Sequence, residues 1–176
     1  MESKWRGKKF IVSVDGVHFW TREDSHDELP FDSKNFSFKW NHPGVAYEIG
    51  VSLDESRIVW FSGPWPAGTN DHSIFKKPGG LGSKIPEGCF AIADSGYHAK
   101  NVAKANSKDT PEVSDFKARA KARQETLNKR LKVFKILNDR FRHSPMEQHG
   151  IIFTAVCVLL YSIKWNLGNH FFLFSS

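Results

Sequence analysis

Lys9-Phe10-Ile11-Val12-Ser13-Val14-Asp15-Gly16 is a short apolar run rich in β-branched residues, and it ends in a carboxylate followed at once by glycine. Apolar runs of this length closed by a turn signal read as buried strands. The glycine lets the chain turn, which leaves Asp15 at the strand's carboxyl end, with Val17-His18-Phe19-Trp20 as a short extension beyond it. In open α/β sheets that edge is where ligands and chemistry collect. A lone Val-Asp-Gly is ordinarily a surface turn, but here the device occurs twice. Cys89-Phe90-Ala91-Ile92-Ala93-Asp94-Ser95-Gly96 is a second apolar strand ending in Asp with Gly close behind.

Between the two copies the pattern is that of antiparallel strands. Phe36, Phe38 and Trp40 alternate with polar residues, as in a half-buried strand. Val45, Tyr47, Ile49, Val51 and Leu53 alternate with Ala46, Glu48, Gly50 and Ser52, the cleanest period of two in the chain. The polar turn Asp54–Arg57 and the apolar Ile58–Phe61 then predict a hairpin. Gly63 to Gly68 reads as irregular. Asn70 or Asp71 caps a helix that buries Ile74 and Phe75. Gly79, Gly80 and Gly82 end that element; no strand precedes them and no Gly-Lys-Ser/Thr follows, which excludes a nucleotide loop. A helical crossover then delivers the second strand parallel to the first, with Asp15 and Asp94 on one edge of the sheet. A short strand near Asn101-Val102-Ala103 follows. The expected class is therefore α/β: a mixed sheet of three antiparallel strands plus one or two parallel ones, flanked by helices.

The chain of 176 residues suits one domain, taken as 1–176. A net charge of +6 fits a polyanionic partner. Cys89 and Cys157 both fall in apolar runs and read as buried free thiols. No CxxC pair exists, and His143 and His149 are too loosely placed for a structural zinc site. The apolar run Ile151–Ile163 is short of the roughly 20 residues that span a bilayer and reads as a buried terminal helix, Gln148 to Ser162. The basic start (Lys4, Arg6, Lys8, Lys9) reads as a solvated arm suited to phosphate contact or nuclear import.

Pro111 to Phe141 is the strongest helical segment, with Leu127, Leu131, Phe134, Leu137 and Phe141 on one apolar stripe. Glu125 lies off that stripe, with Lys121 and Lys129 one turn away on either side. Lys117, Arg119, Arg123, Arg130, Lys132 and Lys135 extend a basic surface that fits either phosphate or solvent.

Two strand-end aspartates and one helix glutamate are the parts of a two-metal phosphodiester site, because hard divalent ions take carboxylate oxygens and keep some of their waters. Val14-Asp15-Gly16-Val17-His18, Ala93-Asp94-Ser95-Gly96-Tyr97 and Ala122–Lys132, together with Trp65–Asp71, resemble the signature blocks of DDE transposases of the PIF/Harbinger type. The separation of Asp94 and Glu125, 31 residues, lies in the range that superfamily tolerates. The resemblance implies an RNase H-like catalytic core and a metal-dependent DNA endonuclease or transposase. Asp15, Asp94 and Glu125 would hold two Mg²⁺ or Mn²⁺ ions, with Asp15 bridging them. Lys121, Arg123, Lys129, Arg130 and Lys132 are the candidate DNA-phosphate contacts. It also implies nuclear localisation and a separate Myb-like DNA-binding partner, since the family's N-terminal DNA-binding region is missing from this chain. The alternative is a catalytically inactive, transposon-derived DNA- or protein-binding module that keeps the fold.

Overall fold

The computed structural model describes residues 4–5, 8–22, 33–39, 41–55, 57–142 and 146–166. The order of elements is β1 (Lys4–Trp5), β2 (Lys8–Trp20), a 3₁₀ turn (Ser33–Asn35), β3 (Phe36–Ser37), β4 (His42–Ser52), β5 (Ile58–Pro66), α1 (Asp71–Lys76), α2 (Leu81–Lys84), β6 (Cys89–Ile92), β7 (Val102–Ala103), α3 (Pro111–Val133), α4 (Lys135–Asn138) and α5 (Met146–Asn166). β2 is the axis of the sheet. It pairs antiparallel with β4 from Val12 to Trp20 and parallel with β6 from Lys9 to Ser13. β4 pairs antiparallel with β5, and β6 parallel with β7. Three long antiparallel strands and two short parallel ones, flanked by helices, make the RNase H-like mixed sheet that the sequence predicts.

Helices cover both faces of the sheet. Val17, Phe19, Val45, Tyr47, Ile49 and Val51 pack against Leu131, Leu137, Phe153, Val156 and Cys157 from α3, α4 and α5. Val12, Val14, Ala91 and Ala93 pack against Phe75, Leu81 and Tyr97 on the α1–α2 face. A register shift between Phe10 and Val12 sets the phase of β2. Beyond it, Ser13 and Asp15 meet side chains of α3 while Gly16 abuts α1, as alternation requires.

The structure corrects several expectations. β2 does not turn at Gly16 but runs through it unbroken, so that the extension to Trp20 belongs to the same strand, because β4 continues to pair with it. β5 does not stop at Phe61 but reaches Pro66. Among the described residues it pairs only with β4, and a strand open on one side tolerates prolines that lack an N–H. β3 is two residues long, and Phe38 is exposed. The long helix stops at Val133, Phe134 serves as its cap, and α4 restarts at Lys135. This break still brings Leu131 and Leu137 into one cluster. Leu81 opens α2 within the glycine-rich stretch. The last helix spans Met146–Asn166. Cys157 is buried, whereas Cys89 is half-buried. β4 is buried on both faces from Gly44 to Val51, because α1 and α2 cover the side that alternation alone assigns to solvent. Lys117 leaves the basic surface altogether: it is buried in an ion pair with Asp109 at 2.8 Å. Lys4, Arg6 and Lys8 of the basic arm, Trp40 and His143 lie outside the residues whose side chains are described.

Candidate active site

Asp15 sits where β6 stops. The last parallel pair is Ser13 with Ile92, and carrying that register on by two residues places Asp94 beside Asp15. β4 flanks β2 on the other side throughout, so the end of β6 opens a notch beside Asp15. Such a notch, at the carboxyl end of a parallel pair, is the usual seat of chemistry in an α/β sheet.

Both aspartates are held by hydrogen bonds. The Gly16 N–H donates to Asp15 Oδ1 at 2.9 Å, and the Asn128 amide of α3 donates to Asp15 Oδ2 at 3.0 Å. The Gly96 N–H donates to Asp94 Oδ1 at 2.8 Å, closing a tight turn after β6. One turn before Asn128, the buried Gln124 accepts from Ser13 Oγ at 3.0 Å and donates to the Ile49 carbonyl at 3.3 Å. α3 is thereby fixed across β2 and β4 by two polar residues at i and i+4. Burial, and next the charge of Asp94, push Asp15 up to about 6; Asp71 adds to this, while the bonds from Gly16 and Asn128 oppose it.

Two more carboxylates line the α1–α2 side. A Cβ on Gly16 would stand 2.4 Å from Asp71 Oδ1, so α1 reaches β2 only because that position has no side chain. Asn70, not Asp71, caps α1, accepting from the His72 N–H at 2.8 Å. Burial and the charge of Asp94 raise the Asp71 pKa, with Lys39 opposing. Glu48, paired across the ladder with Gly16, is fully buried. Its Oε1 accepts from Trp60 Nε1 at 3.1 Å, and its Oε2 has no partner. Burial pushes Glu48 up to about 7, the Trp60 bond opposing and Asp71 adding.

Glu125 does not join this group directly. It is exposed on α3, three residues before Asn128. Helical neighbours at that spacing have Cβ atoms about 5–6 Å apart. At 3.6 residues per turn, Lys121, Glu125, Lys129 and Lys132 form one stripe beside Asn128. Lys132 comes close enough to β2 for its charge to depress His18, after burial and Lys39, to about 4. Arg123 and Arg130 fall on the opposite flank of the helix. Arg123 Nη1 donates to the Leu53 carbonyl at 2.9 Å.

The sequence profile described as DDE superfamily endonuclease matches residues 14–160, most of the chain. The chain belongs to the DDE superfamily endonucleases. No curated protein and no solved structure gives a match. As a DDE domain the chain is expected to use divalent cations, and its donor set can be tested for fit. Among the described residues no three His, Cys, Asp or Glu side chains converge tightly enough to hold a metal ion. The carboxylates do supply hard oxygen donors, and they repel one another across the notch. This suits Mg²⁺ or Mn²⁺, which bind through one or two carboxylates, retained waters and substrate phosphate rather than in an all-protein cage.

Sequence reasoning brought out Asp15 and Asp94, which this DDE domain sets side by side, and it missed Gln124, Asn128, Glu48 and Tyr97. The first two had a legible signal. Ala120, Gln124, Asn128 and Leu131, at spacings of four, four and three, share one face of α3, so amides were embedded in an apolar stripe. Glu48 had none, because only tertiary cover buries it.

Proposed function

We propose that this DDE domain is a metal-dependent DNA endonuclease of the PIF/Harbinger type, which hydrolyses phosphodiester bonds at the notch between β2 and β6. The observation that carries the reading is the in-register placement of Asp15 and Asp94, each oriented by a backbone N–H. When bound there, divalent ions supply charge neutralisation at the phosphate and an activated water. Asp15 and Asp94 hold the ions, and Asn128 and Gly16 keep the Asp15 carboxylate from turning away. Glu125 reaches in from the next turn of α3 as the third acid. Lys121, Lys129 and Lys132 on the same stripe contact backbone phosphates and position DNA without reading its sequence. Arg123 and Arg130 act from the other flank of α3. Sequence choice then falls to a separate Myb-like DNA-binding partner, and the site of action is the nucleus.

Supercoiled plasmid incubated with the protein and Mn²⁺ tests this. Nicking that EDTA stops and that Glu125→Gln reduces to background supports the proposal. DNA binding without Mn²⁺-dependent nicking contradicts it and points to a binding module.

A further inference from the structure

Asp71 has no role in capping its own helix, yet the fold goes to some length to place it. Asn70 takes the capping bond, which leaves the Asp71 carboxylate out of the helix's hydrogen bonding. Gly16, immediately after Asp15, gives up its side chain at the point the Asp71 carboxylate occupies. α1 is also fastened to the loop that carries Asp94. The His98 N–H donates to His72 Nδ1 at 3.1 Å, and Phe75 packs edge-on against Tyr97 with ring centroids 5.6 Å apart. Asp71 and Asp94 are therefore held near one another from two directions.

A second observation points to a ligand between them. Tyr97 is fully buried, and its hydroxyl has no hydrogen-bond partner among the described residues. After burial itself, the charges acting on that hydroxyl are those of Asp71, Glu48, Asp15 and Asp94, so the oxygen lies within electrostatic reach of all four carboxylates. Glu48 Oε2 is buried and unpartnered in the same region. Buried polar atoms in native proteins are nearly always partnered, and each exception calls for an unseen water or ion. Two such atoms beside three mutually repelling aspartates suit a hydrated cation.

We propose that Asp71 is a fourth acid of the cation site, sharing an ion with Asp94 on the α1 side of the notch, while Asp15 and Asp94 share the ion on the α3 side. This rests on the reading of the notch as a divalent-ion site and deepens it: Asp94, in place of the Asp15 that the family resemblance implies, becomes the carboxylate common to both positions. The role is distinct from that of Glu125, which approaches only from the α3 side.

Calorimetric titration with Mn²⁺, together with melting curves in EDTA and in Mn²⁺, tests the assignment without reference to cleavage. Asp71→Asn is expected to weaken Mn²⁺ binding tenfold or more and to shrink the Mn²⁺-induced rise in Tm. In EDTA the same variant is expected to melt higher than wild type, since one of three like charges is gone. A variant that melts lower in EDTA, or fails to fold, assigns Asp71 a structural role and overturns the proposal. Wild-type Mn²⁺ affinity in Asp71→Asn, alongside lost affinity in Asp15→Asn, overturns this inference and leaves the endonuclease reading standing. Absence of Mn²⁺ binding by the wild-type protein removes both.

Discussion

Two regions of this molecule bury polar side chains, and they treat them in opposite ways. Beneath α5, Tyr47 lies flat on Phe153 with ring centroids 3.8 Å apart, and its hydroxyl is 2.8 Å from His149 Nδ1. Phe19 and Phe141 close around that His. The polar side chains are neutral and the aromatic rings fill the space, although His149 Nε2 has no partner among the described residues. Elsewhere on the same sheet, the notch gathers Asp15, Asp71 and Asp94, and the charge of Asp94 raises the affinity of the other two for protons. The first region has the features of a core that stabilises the fold. The second has those of a site under electrostatic stress, which suits the divalent cations proposed for it.

The comparison is broken most forcefully by exchanging mutations between the regions. Phe153→Ala should cost about 3–5 kcal/mol in urea unfolding, the usual range for deleting a buried aromatic. Asp94→Asn should abolish nicking while leaving stability in EDTA equal to or above that of the wild type. If Asp94→Asn unfolds the protein instead, the notch is structural and the contrast fails.

pH separates the regions by sign. Burial lowers His149 from 6.5 to about 4, so its neutral form is favoured in the folded state. Its contribution is fully present above about pH 6.5 and is lost as pH falls toward 4, about 3 kcal/mol in all. Asp15 and Glu48 are raised to about 6 and about 7, so their contribution is present below their ordinary values and is lost as pH rises through 6 to 7. Between about pH 4 and 7 the two regions therefore pull stability in EDTA in opposite directions. His149→Gln should make stability fall more steeply as pH rises and Asp15→Asn less steeply, as read from urea midpoints.

Tyr47→Phe removes the hydroxyl facing His149 and leaves a buried ring nitrogen unpaired, which should cost about 1–3 kcal/mol in the same unfolding assay. The smallest change sharpens the notch. Asn128→Ala removes a bond that favours the charged form of Asp15, so the Asp15 pKa should climb further above 6, as followed by NMR titration of its carboxyl carbon.

Much of the sheet was legible because period-two alternation and the repeated strand-to-Asp device are local signals. The hairpin of β4 and β5 and the parallel return of β6 follow from them. The continuity of β2 through Gly16 was not legible, since that glycine reads locally as a turn while its real task is to admit Asp71. Glycine's two uses look alike in a sequence and differ only once a distant helix is in place. Glu48 shows the same limit from the other side: a charged residue at an outward position of an alternating strand reads as exposed until α1 and α2 close over it. Asp71 was visible as a possible cap and as part of a family block, but its nearness to Asp94 depends on the His72–His98 bond, which joins elements 26 residues apart.

The most direct measurement is Mn²⁺-dependent nicking of supercoiled plasmid by Asp15→Asn beside wild type, with circular dichroism confirming that both are folded. Loss of nicking to the level seen in EDTA, with the fold intact, is the result this account predicts. A folded Asp15→Asn protein that nicks at the wild-type rate would contradict it.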